Sequence, residues 1–310
     1  VMERIKAYQE GTLKATTVDN GAGIWQKWAN ANGNTDWFEE FYDHWAPSQE
    51  HNLSINGGTD KTQYLISGSF LDQKGLMRHG SDKFQRYTLN GKITTAVTDW
   101  FKVTYSTKWT REDFERPTYL TGSFFHNLAR KWPVHPAYDP NGFPMDEGEV
   151  EQMENGGKQN SQKDFYTNQL QLVFEPIKNW KINLEGSVRT TTQYQHWEVL
   201  PVYAYNVDGD PYYTVWDMGY GSYAAGSSRV NEYSWKENYY TTNIYSDYFK
   251  QFDNGHYFKV MAGFNAELYK TRNITAEKNT LITPGVPTIN TATDDPQAYG
   301  GYADNSVAGF

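Results

Sequence analysis

FQRYTLNGKITTAVTDWFKVTYSTKW, residues 84–109, decides how the chain is read. Its first half places Tyr87, Leu89, Gly91 and Ile93 on one face and Arg86, Thr88, Asn90, Lys92 and Thr94 on the other. The second half repeats the pattern, with Phe101, Val103, Tyr105 and Trp109 against Lys102, Thr104, Ser106 and Lys108. Successive side chains of a strand point to opposite faces, so period-2 alternation over this length predicts two strands. Thr95 to Asp99 leaves room only for a tight antiparallel turn. Two environments suit such strands. In a soluble sandwich the apolar face is core and the polar face meets bulk water; in a membrane barrel the apolar face meets lipid and the polar face lines a bore. A Lys or Arg at the lipid midplane costs about 2–4 kcal/mol, so in a barrel Arg86, Lys92, Lys102 and Lys108 must point inward.

Hairpins of the same kind recur. Strands are expected near residues 50–56, 62–71, 84–94, 100–109, 164–174, 180–197, 239–250 and 256–271, eight in all. Their connections alternate between short turns (57–61, 95–99, 175–179, 251–255) and longer insertions. Antiparallel neighbours then put every short turn at one end and every long loop at the other, the asymmetry of outer-membrane barrels. Asn254-Gly255 predicts a type I′ turn. Three returning strands open alike, at Trp100-Phe101-Lys102-Val103, Trp180-Lys181-Ile182 and Tyr257-Phe258-Lys259-Val260. Trp100, Trp180 and Tyr257 are therefore expected in an interfacial aromatic girdle. Arg86, Lys92, Lys102, Lys181, Glu185 and Arg189 are expected on the bore, against a plug. Residues 1–48 read as a connector with short helical segments, its Trp25, Trp28, Trp37, Phe38, Phe41 and Trp45 packing on the neighbouring sheet.

Composition limits the classes. Across 310 residues the net charge is −9, which disfavours nucleic acid as a partner. A mean hydropathy of −0.79 and the lack of a long apolar run exclude a membrane-spanning helix but not a barrel, whose strands need only about 9–11 residues each. The chain has no cysteine, and Val1 to Glu10 is polar rather than a signal peptide, so an exported protein would begin upstream. The 24 Tyr, 11 Trp and 16 Phe suit girdles or sugar-stacking surfaces.

Asn34-Thr35-Asp36-Trp37-Phe38-Glu39-Glu40, His51-Asn52-Leu53-Ser54-Ile55-Asn56-Gly57-Gly58, Lys61-Thr62-Gln63-Tyr64 and the run from Tyr64 to Gly75 resemble the SusC/RagA family of TonB-linked outer-membrane transporters of Bacteroidota. Phe84-Gln85-Arg86-Tyr87 and Asp99-Trp100-Phe101-Lys102 resemble its next hairpin. The resemblance implies an all-β, antiparallel up-and-down transmembrane barrel segment, about eight strands of a 22-stranded whole with long extracellular loops. It also implies a plug coupled to the TonB complex, a SusD-like surface lipoprotein, and import of oligosaccharide or peptide. Plug, TonB box and N-terminal extension have no counterpart here, and Ala308-Gly309-Phe310 looks like the start of a further strand. The chain is therefore expected to be an internal third of such a protein.

Catalysis finds little support. Asp146, Glu147, Glu149, Glu151 and Glu154 form an acidic run whose ordinary meaning is a solvated loop face. His126 and His135 lack metal-ligand spacing, no nucleophile elbow is present, and Gly156-Gly157-Lys158 lacks a P-loop setting. No enzyme, metal or cofactor is expected. Ligand binding is expected of the loop aromatics Trp132, Tyr138, Tyr203, Tyr205, Tyr212, Tyr213, Trp216, Tyr220 and Tyr223, whose flat rings could stack under sugars or pack the loops together. Two other architectures stay open: a secreted glycan-binding sandwich, whose apolar face would pack on a second sheet, and a self-contained small barrel, whose eighth strand would pair with the first.

Overall fold

The computed structural model describes residues 34–138, 142–145, 148–205 and 228–310, and the backbone of 211–215. Nine strands form one antiparallel sheet: β1 (Ser48–Gly58), β2 (Thr62–Lys74), β3 (Lys83–Thr98), β4 (Phe101–Pro117), β5 (Lys158–Ile177), β6 (Trp180–Val199), β9 (Arg229–Gln251), β10 (Tyr257–Asn279) and β11 (Gln297–Gly309). Each pairs with its neighbour in the chain, except that β6 pairs with β9 across an insertion carrying a separate hairpin, β7 (Pro201–Tyr205) with β8 (Pro211–Val215). Helices are short: α1 (Trp37–Phe41), α2 (Gly122–Leu128) and α3 (Val150–Asn155). Among the described residues no helix is long and apolar enough to cross a membrane.

The expected strands are all present, with longer limits, and β11 is an addition. Ala308-Gly309 closes that strand rather than opening one. Its sequence, QAYGGYADNSVAG, lacks the β-branched and aromatic alternation that marks the others; thirteen register pairs with β10, from Glu277↔Gln297 to Asn265↔Gly309, hold it instead. β10 thus pairs with β9 and β11, and β1 with β2 alone among the described strands, which removes the self-contained eight-stranded barrel. The turn at residues 252–256 also differs from expectation. Only Gly255 has positive φ (84°), and Gly255 N–H donates to Phe252 O, so this is a looser loop with one left-handed glycine and not a type I′ pair.

Strand register sorts the side chains into two continuous faces. Leu53, Ile66, Leu89, Val103, Tyr105, Leu170, Ile182, Ile244 and Val260 share one. Arg86, Lys92, Lys102, Lys181, Glu185 and Arg189 share the other. Among the described residues no second layer covers the apolar face: Leu89 is 57% exposed and Val260 50%, and Val103 and Ile182 are half-buried. The sandwich reading fails on those residues.

The apolar face is a band of limited height. On β4 it runs from Phe101 to Trp109, and the next outward residues are Arg111, Asp113 and Glu115. On β5 it runs from Phe174 up to Tyr166 and gives way to Asp164 and Gln162. Nine residues at about 3.3 Å each, tilted, match the hydrocarbon thickness that a barrel strand must cross. The upper edge is marked by Trp109, whose indole N–H donates to Asp164 at 3.1 Å beneath the Arg111–Asp164 ion pair, a ring with one apolar and one wet end. That edge steps along the sheet. Tyr87 pairs with Arg111 rather than Trp109, and Tyr166 pairs with Thr190 rather than Val188. Strands tilted to a membrane normal require such a stagger.

The buried core lies away from the sheet faces. Trp37, Phe41, Met77, Tyr119, Leu120, Phe124, Leu128, Ala137, Val150 and Met153 pack together from the segment before β1 and from the β2–β3 and β4–β5 connections. These connections lie at the long-loop end, so the core is a cap standing on the tall ends of the strands.

Candidate functional site

β9 and β10 are 23 residues long, about twice what a membrane crossing needs. The surplus rises as a wall at the long-loop end and carries aromatics on the polar face. Phe165, Trp235, Tyr239 and Tyr269 lie on the same face as Arg189. Lys163 Nζ stands 4.9 Å from the Phe165 ring centre and 5.6 Å from that of Trp235, within cation–π reach. Arg189 lies 5.2 Å from the Tyr239 ring and pairs with Glu237 at 3.4 Å. The rings are held by their polar ends: Trp235 Nε1 donates to Thr271 Oγ1 at 2.7 Å and Tyr239 to Glu267 at 2.5 Å. Such a wall offers apolar area with fixed donors and acceptors, the chemistry of a recognition surface. Sequence reasoning missed these residues. Continuing the parity of β5 and β9 beyond the apolar band would have found them.

The acids and cations of this face are unequally partnered. Glu185 accepts from Gln169, Glu237 pairs with Arg189, and Glu267 accepts from Tyr239. Among the described residues Arg86, Lys92, Lys102 and Lys108 form no ion pair.

The loop aromatics divide. Tyr138 donates to Glu40 at 2.9 Å, and Tyr205 stacks on Phe143 with centroids 4.4 Å apart, so both hold loops to one another. Trp132 is 67% exposed and Tyr203 57%, rings presented to solvent. Tyr213 lies opposite Tyr203 in the β7–β8 register and Tyr212 opposite Ala204. Trp216, Tyr220 and Tyr223 lie outside the described residues, as do Trp25 and Trp28. Of the connector's aromatics, Trp37 and Phe41 enter the cap core while Phe38 and Trp45 stay exposed. At the short-turn end Trp100 contacts Phe101 and Phe174, and Trp180 Nε1 donates to Ser246. Tyr257 pairs with Gln251 and lies on the face of Lys259; Phe258 takes the outward position and is half exposed.

The acidic run is only in part the solvated face expected of it: Glu154 is exposed and Glu149 is not. Glu149 is buried, pairs with Lys131 at 2.7 Å and accepts from Tyr119. Glu154 and Glu40 clamp the two ring nitrogens of His79 at 2.7 and 2.9 Å. Burial alone pulls the His79 pKa down, but the hydrogen bonds to Glu40 and Glu154 outweigh it and leave the value above 6.5. Glu40 is held below the usual carboxylate range, first by its bond from His79. Asp146 and Glu147 lie outside the described residues. Among the described residues no group of His, Asp and Glu has the geometry to hold a metal ion.

This geometry has known counterparts. The fold matches the RagAB peptide importer in its "closed-closed" state, with TM-score 0.66 and 18% identity over 89% of this chain and 30% of that one. A second structure, of the RagAB peptide transporter, gives 0.65 and 17% over 90% and 32%. The chain is a nine-stranded segment of that barrel type and spans under a third of those chains. In sequence, 70 residues are 33% identical to the TonB-dependent receptor P3 of Formosa agariphila, covering 23% of this chain and 7% of the receptor. No protein-family model matches.

Proposed function

We propose that the chain forms part of the wall of a TonB-dependent transporter of SusC/RagA type in a Gram-negative outer membrane. Energy would reach it through a plug seated on the polar face, and a SusD-like lipoprotein would close the long-loop end. Its cargo would be an oligosaccharide or peptide, engaged by the exposed rings of Trp132 and Tyr203 and by the Lys163–Phe165–Trp235 wall. The observation that carries this reading is the outward apolar band of strand-crossing height, backed by an unbroken polar face and topped by strands too long for the membrane alone. Likeness of fold to a peptide importer and of sequence to a TonB-dependent receptor supports it. The full-length protein should co-purify from outer membranes with a surface lipoprotein, and its deletion should abolish growth on one class of oligomeric nutrient as fully as loss of TonB does. Unchanged growth across glycan and peptide panels, with no partner retained, would refute the proposal.

A further inference from the structure

The polar face of β3 and β4 has a charge problem. It carries Arg86, Lys92, Lys102, Lys108 and Arg116, with Glu112 as its one acid. Arg116 is occupied by Gln159 and the Leu120 carbonyl. The other four cations form no ion pair among the described residues, in a chain whose net charge is −9. Like charges concentrated on one stretch of wall repel one another and together attract an anion.

Three cations meet around a cavity of about 530 Å³ lined by Arg86, Lys108, Arg189, Glu112, Thr110 and Phe165, among others. Lys108, Thr167 and Arg189 lie in one row across β4, β5 and β6, which sets the two cationic backbones about 10 Å apart. The Thr88 and Thr110 hydroxyls, 3.4 Å apart and buried, lie in the row between that of Arg86 and that of Lys108 and form part of the lining. The Phe165 ring forms a flat side that a sugar or side chain could lie against. Arg189 already has Glu237, and Glu112 offsets one charge at most, so Arg86 and Lys108 together keep at least one net positive charge for a ligand.

We propose that this cavity is a binding site for a carboxylate carried by the transported ligand, with Arg86 and Lys108 holding the anion and Phe165 its uncharged body. The proposal rests on the transport reading above and narrows its substrate class. An acidic sugar and a peptide carboxylate offer the same group, so the test uses both. The full-length transporter with its lipoprotein is titrated with oligogalacturonate against neutral oligogalactose, and with an acidic peptide against its fully amidated form. In at least one pair the charged member should bind ten- to a hundredfold more tightly, and its affinity should fall with added salt while that of the neutral member stays constant. Arg86→Gln with Lys108→Gln should erase the difference and leave neutral-ligand affinity within twofold; Lys108→Arg should retain it. No preference for charge in either pair, or no salt dependence of the charged ligand, would overturn the proposal. So would a double variant that loses charged and neutral ligands alike, which would mean that the cations hold the plug. Energised transport of a bound ligand tests the transport reading separately, since a carboxylate site could bind without it.

Discussion

Replacing Leu170 by Arg and its neighbour Gln171 by Arg should have opposite consequences, although the positions are adjacent in sequence. Leu170 lies midway along the outward band of β5, between Phe174 and Tyr166, and is 45% exposed. An Arg there sits near the hydrocarbon midplane and costs about 2–4 kcal/mol; at Tyr166, near the upper edge, the cost falls to about 0–1. Gln171 points to the polar face directly opposite Glu185, so an Arg there gains a cross-strand partner and should be neutral or slightly stabilising. In equilibrium constants, Leu170→Arg should lower stability between roughly thirty- and several hundredfold. The assay is reversible urea unfolding of the full-length protein in lipid vesicles, followed by tryptophan fluorescence. Equal stabilities for Leu170→Arg and Gln171→Arg would refute the membrane placement. A soluble sheet exposing Leu170 to water would tolerate Arg there without loss.

Four further outcomes are expected. The His79 clamp contributes stability below the unfolded His pKa of about 6.5 and loses it as pH rises through the higher folded value, whereas Glu40 contributes above about 4.5 and loses it as pH falls through its lowered value. Hydrogen-exchange protection of Phe41 and Phe124 should therefore peak in mildly acidic buffer, and His79→Gln should flatten the alkaline limb. Lys131→Met leaves the buried Glu149 carboxylate without its cation and should open the cap by about 3–5 kcal/mol, seen as proteolysis within residues 120–150 while the sheet stays protected. Gly58 has φ 154°, and a Cβ there would meet Thr62 O at 2.1 Å, so Gly58→Ala should destabilise the β1–β2 turn by about 1–3 kcal/mol. Asn179→Gly, at φ 71°, should be nearly silent in the same unfolding measurement.

Strands were legible where one side chain in two had to be apolar. That condition holds only within the band, so Phe84–Trp109 could be read directly while the upper ends of β5 and β9 could not. Above the apolar band both faces are polar, and Lys158–Asp164 or Arg229–Lys236 show no period that marks a strand. β11 was hidden for a different reason: its Gly, Ala, Asn and Asp residues accept pairing without advertising it. The cap core was illegible because Trp37, Met77, Tyr119 and Val150 come from separate connections, each too short of apolar residues to signal burial alone. The polar face followed from parity, so Arg86, Lys92, Lys102, Lys181, Glu185 and Arg189 were placed on one side together from sequence. Tyr257 was not, since an aromatic doublet leaves parity ambiguous at a strand's first residue and the register gives the outward place to Phe258.

The most direct measurement uses the chain's lack of cysteine. Single cysteines introduced one at a time from Tyr87 to Ile93 in the full-length protein, spin-labelled in vesicles, report access to oxygen dissolved in lipid and to a water-borne nickel chelate. Labels at Tyr87, Leu89, Gly91 and Ile93 should be reached by oxygen and shielded from nickel, with Thr88, Asn90 and Lys92 reversed. Uniform nickel access along the strand, or shielding of the odd positions from both probes, would contradict the account.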